Sequence, residues 1–451
     1  MVFSSERDER RRIENFRWAR EWVSKCAREH VVRDYLPGQV VYNLGEYPKP
    51  FSIRPTNYDA ELLELLATRG VELIQLHEGW NDSQRVLGAD KFTSHDPEGL
   101  QEFVDAVHDL GMKIIPYVST GFFEATDPDF RPEWAGPGHL VELYFDYARC
   151  FPDSPGWREY LLPRMERILD QYGFDGIYDD MGYPSISADG QPLYASDLQP
   201  GEISHAAIED LLGLVLAMCE VRDGVLKIHT NARGFTEGLK LYDYLWIGEG
   251  AQHLDELREA NKDLDPYVVP CPDMSRAQVA DEHELYLHFI PYMQFPLRVD
   301  GRPMTGERAM VEGMNYRRGD DCFWTRHCKR IWEHYQQHPD GPHTYGWWDS
   351  VPGRAQARDI WLEYLKLYRP MVAQRSRVWV EITEGRLFAT PLPEETVASL
   401  FTNQDTYLVL ANFAHDPGQV KLSDEWQDRV SSARGSEWTL PPRKLLFLRK
   451  S

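Results

Sequence analysis

The sequence predicts an α/β protein: a (β/α)8 TIM barrel followed by a C-terminal antiparallel β-sandwich domain. Three observations carry this expectation. From residue 39 onward, apolar strand-like runs alternate with amphipathic helical runs, the pattern of parallel strands joined by right-handed helical crossovers. The residues able to do chemistry fall at the C-terminal ends of successive strands, which favours a closed barrel over an open sheet. Beyond Pro370 the helical period gives way to short β-type runs separated by turn residues. The expected segments are 1–38, an N-terminal helical piece, 39–370, the barrel, and 371–451, the β-sandwich.

Size and charge bound the possibilities. The 451 residues leave room for a barrel of ~250 residues or more beside a second domain. Apolar residues make up 42% and charged residues 27%, as in an ordinary globular protein. A net charge of −23 argues against nucleic acid or an anionic membrane as partner, because both attract basic surface. No run of ~18 apolar residues is present, so no membrane span is expected. The six cysteines lack metal-type CxxC spacing and read as free thiols of a reducing compartment. With no apolar signal core near Met1, a cytoplasmic location is expected.

In chain order, residues 5–34 place Ile13, Phe16, Ala19, Val23 and Cys26 at three- to four-residue spacing among Arg and Glu, predicting an amphipathic helix packed outside the main domain. Leu36-Pro37-Gly38 ends it, and the first strand runs from Gln39 to Leu44. A helix over 60–69 leads to a strand over 71–76, a helix over 100–110 to a strand over 112–118, and a helix over 157–172 to Gly176–Asp180. A helix over 203–220 precedes strands at 225–229 and 244–247. For the seventh strand, 267–269 competes with 288–293, while 326–338 and 356–369 supply closing helices. The loops after strands are long, notably 120–155 and 182–202, which is usual for functional segments.

The stretch Gly173-Phe174-Asp175-Gly176-Ile177-Tyr178-Asp179-Asp180 is an apolar run ending in two carboxylates. Asp175 opens the strand and belongs to the far end of the barrel. Asp179 and Asp180 are adjacent, so alternation sends only one of them to the barrel mouth, without saying which. Cleaving a glycosidic bond takes two carboxyl groups across the anomeric carbon. One of this pair is the expected nucleophile and Glu249, within Trp246-Ile247-Gly248-Glu249-Gly250, the expected acid partner, since flanking glycines free its carboxyl to be aimed. His229, Asn231 and Arg233 follow the fifth strand and either bond sugar hydroxyls or orient Asp180; His229 equally suits a satisfied core position. His77, Glu78 and Trp80 end the second strand, where Trp80 either stacks on a sugar ring or packs as an ordinary indole. Trp348, with Trp347 and Asp349, lies in a late loop that is a further candidate for the mouth. No phosphate loop, dinucleotide glycine pattern or metal triad is present, and His327, His338 and His343 are too loosely spaced to be ligands. No cofactor is expected.

Several of these motifs resemble a known superfamily. Ile74-Gln75-Leu76-His77-Glu78-Gly79-Trp80 is similar to the second-strand signature of melibiase-type α-galactosidases, Asp-Asp-Gly-Trp. Gly99-Leu100-Gln101 through Met112-Lys113 resembles their next helix and strand. Asp175-Gly176-Ile177-Tyr178-Asp179-Asp180-Met181 is similar to the nucleophile strand of the related α-glucosidases, and that register selects Asp180; a melibiase Tyr-Asp register selects Asp179. The resemblance covers roughly 39–370. It implies retaining α-glycoside hydrolysis through a glycosyl-aspartate, without a metal, on a carbohydrate substrate. The sequence departs from the family at the strand-two acid pair, replaced by His77-Glu78, at the lysine two residues before the nucleophile, replaced by Tyr178, and at the acid, matched by Glu249 in place of Asp. Substrate contacts are thus expected from His77, Glu78, Trp80, Tyr178, His229, Asn231, Arg233 and Trp348. Transfer of the sugar to another hydroxyl, and a carbohydrate-binding barrel without chemistry, are the alternatives; a homo-oligomer is compatible with either.

Overall fold

A computed structural model describes residues 6–45, 51–81, 92–141, 146–180, 205–229, 241–249, 251–264, 267–272, 282–306, 323–345 and 357–450. The architecture is a (β/α)8 barrel with a C-terminal antiparallel β domain. The chain divides into two compact units. One comprises Gln39–Gly250 and Leu297–Ala355, the other Met1–Gly38, Ala251–Pro296 and Gln356–Ser451.

In the first unit the strands Tyr244–Ile247, Val225–His229, Gly176–Asp180, Lys113–Val118, Leu73–Leu76, Gln39–Asn43 and Arg298–Gly301 lie side by side in that order, all parallel. Gln39–Asn43, Leu73–Leu76 and Tyr244–Ile247 are buried at every residue, the near-continuous burial of strands covered on both faces. Arg298–Gly301 pairs with Gln39–Asn43, which sets the last strand beside the first. It escaped the sequence reading because Leu-Arg-Val-Asp-Gly has too few apolar residues to show a period.

Local signals fix where the helices begin. Thr56 caps Asn57–Thr68 in a reciprocal capping box with Asp59. Asp96 caps Pro97–Asp109 through the Gly99 N–H at 3.0 Å, and Ser154 caps Pro155–Tyr172, each with proline in the first turn. Asp59 also accepts from the Tyr42 hydroxyl at 2.6 Å and from Arg302 at 2.8 Å, and Arg302 donates to the carbonyls of Leu44, Ser52, Ile53 and Arg54. One guanidinium thereby ties the segment after the first strand to the segment after the last. The long loop after the third strand carries its own antiparallel sheet, with Asp146–Cys150 between Phe122–Glu124 and Ala135–Val141. Its aromatic residues pack on those of the helix that follows: Phe123 and Trp134 of the loop and Trp157 and Tyr160 of the helix have ring centroids 4.8–6.0 Å apart.

In the second unit the helix Glu6–Trp22 stops sooner than expected, and Val23–Val31 is a strand paired antiparallel with Arg377–Gly385. The dense Arg and Glu of this segment hid its alternation. The sheet runs Val23–Val31, Arg377–Gly385, Thr396–Thr402, Thr406–Asn412, Lys444–Lys450, Gly418–Asp428, Arg434–Leu440, joined in one hydrogen-bonded order. Trp379, Leu400, Leu410, Trp426 and Leu448 form its core together with Ala19 and Val23. Each such side chain withdrawn from water contributes about 1.5–3 kcal/mol. Leu387–Thr390, a short β-type run, supplies a single bridge from Phe388 to Leu422. Of the two runs competing for the seventh strand, Val268–Pro270 is extended. The other is helical, His283–Phe289 continuing into the turn Ile290–Tyr292; residues 284–292 are all buried, so a continuous apolar run concealed the helical period.

Candidate active site

The fourth strand is aimed by two glycines. Gly173 ends the preceding helix in the left-handed conformation, φ 71°. Gly176 has φ 129°, and a Cβ there would fall 1.9 Å from the Val225 carbonyl oxygen, so only glycine lets the fourth and fifth strands approach this closely. Asp175, just before, accepts the Ile114 N–H at 2.8 Å and meets His108 Nε2 at 2.9 Å, a bracing role at the start of the strand.

From Gly176 the strand alternates, and the two adjacent aspartates part company. Asp179 is wholly buried; the Thr120 N–H donates to its Oδ1 at 3.0 Å and the Thr120 hydroxyl to its Oδ2 at 2.9 Å. Burial pushes its pKa up to about 7, against the pull of the Thr120 hydrogen bonds and with help from the charge of Asp180. Asp180 stands on the other face, its side chain 30% exposed. The Tyr117 hydroxyl, from the third strand, donates to Asp180 Oδ2 at 2.8 Å. His229 Nδ1, at the end of the fifth strand, lies 3.4 Å from Asp180 Oδ1.

The opposite nitrogen of the same imidazole, Nε2, lies 3.4 Å from Glu249 Oε2. Glu249 follows the sixth strand, after a turn through Gly248 at φ 91°. The three ends of strands four, five and six therefore deliver a carboxylate, an imidazole and a second carboxylate in sequence. The imidazole of His229 stands between the two carboxyl groups. His229 lies flat on Trp246, with ring centroids 5.1 Å apart and planes at 19°.

Electrostatics divides the roles. Burial opposes a charged His229, yet the Asp180 contact and the charges of Glu249 and Asp180 outweigh burial and raise its pKa, with Lys227 pulling the other way. Desolvation raises the pKa of Glu249, partly offset by His229 and reinforced by Asp180, although 45% of its side chain is exposed. Lys227, fully buried below, donates to Gln39 Oε1 at 3.1 Å and lies 5.4 Å from the Trp246 ring centroid and 5.8 Å from that of Tyr178.

Asp180, His229 and Glu249 are thus gathered at one place, while Trp80, His77 and Tyr178 are buried. Trp80 is fully buried, donates its indole N–H to the Tyr117 carbonyl at 2.7 Å and packs on Phe174. His77 is buried, edge-on to Tyr117, and burial holds its imidazole neutral with a pKa down to about 3 despite the nearby charge of Asp180. Tyr178 is buried between Tyr117 and Trp246, at 5.6 and 4.9 Å, as part of the floor. Glu78 lies in the turn Glu78–Trp80. Asn231, Arg233 and Trp348 lie outside the described residues. Tyr117 was missed; its inward position in the third strand, two residues after Ile115, was the available signal. Among the described residues no group of three or more His, Cys, Asp or Glu is placed to hold a metal, and no helix is long and apolar enough to cross a membrane.

No protein-family model matches the sequence, and no curated protein does. Solved structures do resemble it. The α-amylase of Geobacillus thermoleovorans aligns with a TM-score of 0.56 at 10% identity, covering 92% of this chain and 99% of that one. The Bacillus licheniformis trehalose-6-phosphate hydrolase gives 0.53 at 12% identity, covering 92% and 100%. The GH36 α-galactosidase of Geobacillus stearothermophilus gives 0.52 at 11%, covering 95% of this chain and 57% of that one. What they share with this chain is the fold. The likeness extends to amylases as well as to an α-galactosidase, so it is broader than the melibiase-type resemblance of the sequence motifs.

Proposed function

We propose that the protein is an α-glycoside hydrolase that works by the retaining route. The observation that supports this reading best is the pair of carboxylates, Asp180 and Glu249, held at the ends of the fourth and sixth strands against opposite nitrogens of His229. Barrel enzymes build their sites at that end. The neighbouring folds come from proteins described as α-amylase, trehalose-6-phosphate hydrolase and α-galactosidase, which act on α-glycosides.

In this reading an Asp180 oxygen attacks the anomeric carbon as the glycosidic C–O bond breaks, and Glu249 gives its proton to the departing oxygen. Water then attacks the same carbon, the ester to Asp180 breaks, and Glu249 takes the water proton. Tyr117 holds Asp180 by Oδ2, and His229 faces Oδ1. The raised pKa of Glu249 suits an acid that keeps its proton to higher pH than an ordinary glutamate does, and activity falls as pH rises through that pKa. Asp179, tied to Thr120 on the opposite face, takes no part.

The test is a panel of nitrophenyl α- and β-glycosides, including amino and acidic sugars, against wild-type protein and Asp180→Asn. Turnover of an α-glycoside that disappears in the variant is the expected result. Silence on every member, or turnover confined to β-glycosides, rejects the reading.

A further inference from the structure

His229 occupies an unusual position for a residue beside two catalytic carboxylates. It touches Asp180 through Nδ1 and Glu249 through Nε2, both at 3.4 Å, and its ring lies on the face of Trp246. A neutral imidazole has one N–H and cannot donate to both carboxylates once Glu249 has given up its proton; an imidazolium can. An aromatic face beneath the ring favours the cation as well. We propose that His229 is a positioning residue whose single positive charge is shared between Asp180 and Glu249, and that this shared charge turns Glu249 from acid to base between the two half-reactions. The proposal rests on the glycosidase reading above.

The argument follows the charges around the ring. Those facing it are Asp180 from the fourth strand, Glu249 from after the sixth, and Lys227 from its own strand; Tyr117 acts through Asp180. Before reaction, Asp180 is an anion and draws on the imidazolium, and its charge also helps Glu249 hold a proton. When Asp180 becomes an ester, its charge disappears, and Glu249 has just lost its proton to the leaving oxygen. The imidazolium now faces one anion instead of two competing acids, so it stabilises the Glu249 carboxylate that must accept a proton from water. His229 neither gains nor loses a proton in the cycle; it lowers the cost of the ionised form of Glu249 at the step that needs it.

Two substitutions separate the parts of this idea. Asparagine places an amide N–H near the position of Nδ1 and glutamine near that of Nε2, and neither carries charge. In both His229→Asn and His229→Gln the basic limb of the kcat/KM profile is expected to move up by about one pH unit, because an opposite charge at this distance shifts a carboxyl by ~1–3 units and Glu249 is partly exposed. Breakdown of the glycosyl-enzyme is expected to slow at least ~10-fold, seen as a burst of nitrophenol followed by a slower steady state. Without any substrate, NMR of imidazole-labelled wild-type protein should show His229, assigned by its absence in H229N, titrating above an ordinary histidine and falling by on the order of one unit in Asp180→Asn. An active wild type whose basic limb stays in place in both variants, or a His229 that titrates at or below the ordinary value, overturns this proposal alone. A wild type silent on every glycoside overturns the glycosidase reading and this proposal with it.

Discussion

Replacing Asp179 by asparagine tests the geometry of the fourth strand in a way that does not depend on the substrate. The carboxyl is wholly buried, with Thr120 donating to both oxygens, and its pKa stands at about 7. A folded-state pKa above the unfolded one means that the native protein binds the extra proton. The stability it brings is complete below the unfolded pKa, near ~4, and is lost as pH rises through about 7. A shift of this size corresponds to at most about 4 kcal/mol between the two limits, at ~1.4 kcal/mol per unit. Asparagine is close in shape to the protonated acid: its oxygen takes the Thr120 N–H, and its amide N–H can donate to the Thr120 hydroxyl. The variant is therefore expected to match wild type at or below ~pH 4 and to exceed its stability by several kcal/mol at ~pH 9, read as urea midpoints at unchanged slope. It is also expected to keep its turnover, because Asp179 faces away from Asp180. Equal pH dependence of stability in the two proteins would refute the burial argument, and loss of turnover with the fold intact would move the nucleophile to Asp179.

Other consequences are equally direct. Glu249→Gln is expected to lose about 10²–10⁴-fold in turnover of natural glycosides and far less with nitrophenyl leaving groups, which need little protonation; equal losses on both would reject Glu249 as the acid. Tyr117→Phe removes a hydrogen bond to a carboxylate worth about 1.5–3 kcal/mol, so kcat/KM should fall roughly 10- to 100-fold while thermal unfolding changes little; unchanged kinetics would mean that Asp180 needs no such support. Arg302→Met strips the buried Asp59 of its guanidinium partner and should cost ~3 kcal/mol in denaturant unfolding. Asp59 is held below the usual carboxylate range: burial alone would raise it, but Arg302, Tyr42 and Thr56 outweigh burial. Its stabilising share is thus present above the unfolded pKa and is lost as pH falls through the folded one, so the deficit of Arg302→Met should shrink in acid. An undiminished deficit in acid would show that the guanidinium acts by packing alone.

The sequence spoke most clearly where local chemistry and the fold agree. Buried strands 225–229 and 244–247 were legible as short apolar runs, and the abrupt carboxylates of 179–180 and the glycine-flanked Glu249 marked where those runs met the mouth. What remained hidden was decided by tertiary neighbours. Trp80 and His77 read as rim residues, but Tyr117 and Phe174 enclose them, and no pattern within residues 74–80 reports that. Tyr117 passed as one more strand aromatic because the bond from its hydroxyl to Asp180 joins two strands, and a single strand's period is silent about such pairs. Alternation separated Asp179 from Asp180 without choosing between them; Thr120, some sixty positions earlier, makes the choice by claiming Asp179. The edge strand 23–31 was lost for a simpler reason, since only Val23 in it is buried and its exposed positions, Ser24, Lys25, Ala27 and Glu29, read as a solvated helix.

The covalent intermediate is the most direct place to test the account. Wild-type protein incubated with a slow 5-fluoro α-glycosyl fluoride, digested and sequenced by mass spectrometry, should carry one sugar as an ester on Asp180, and Asp180→Asn should carry none. A sugar found on Asp179, or efficient α-glycoside turnover with no labelled aspartate at all, would contradict it.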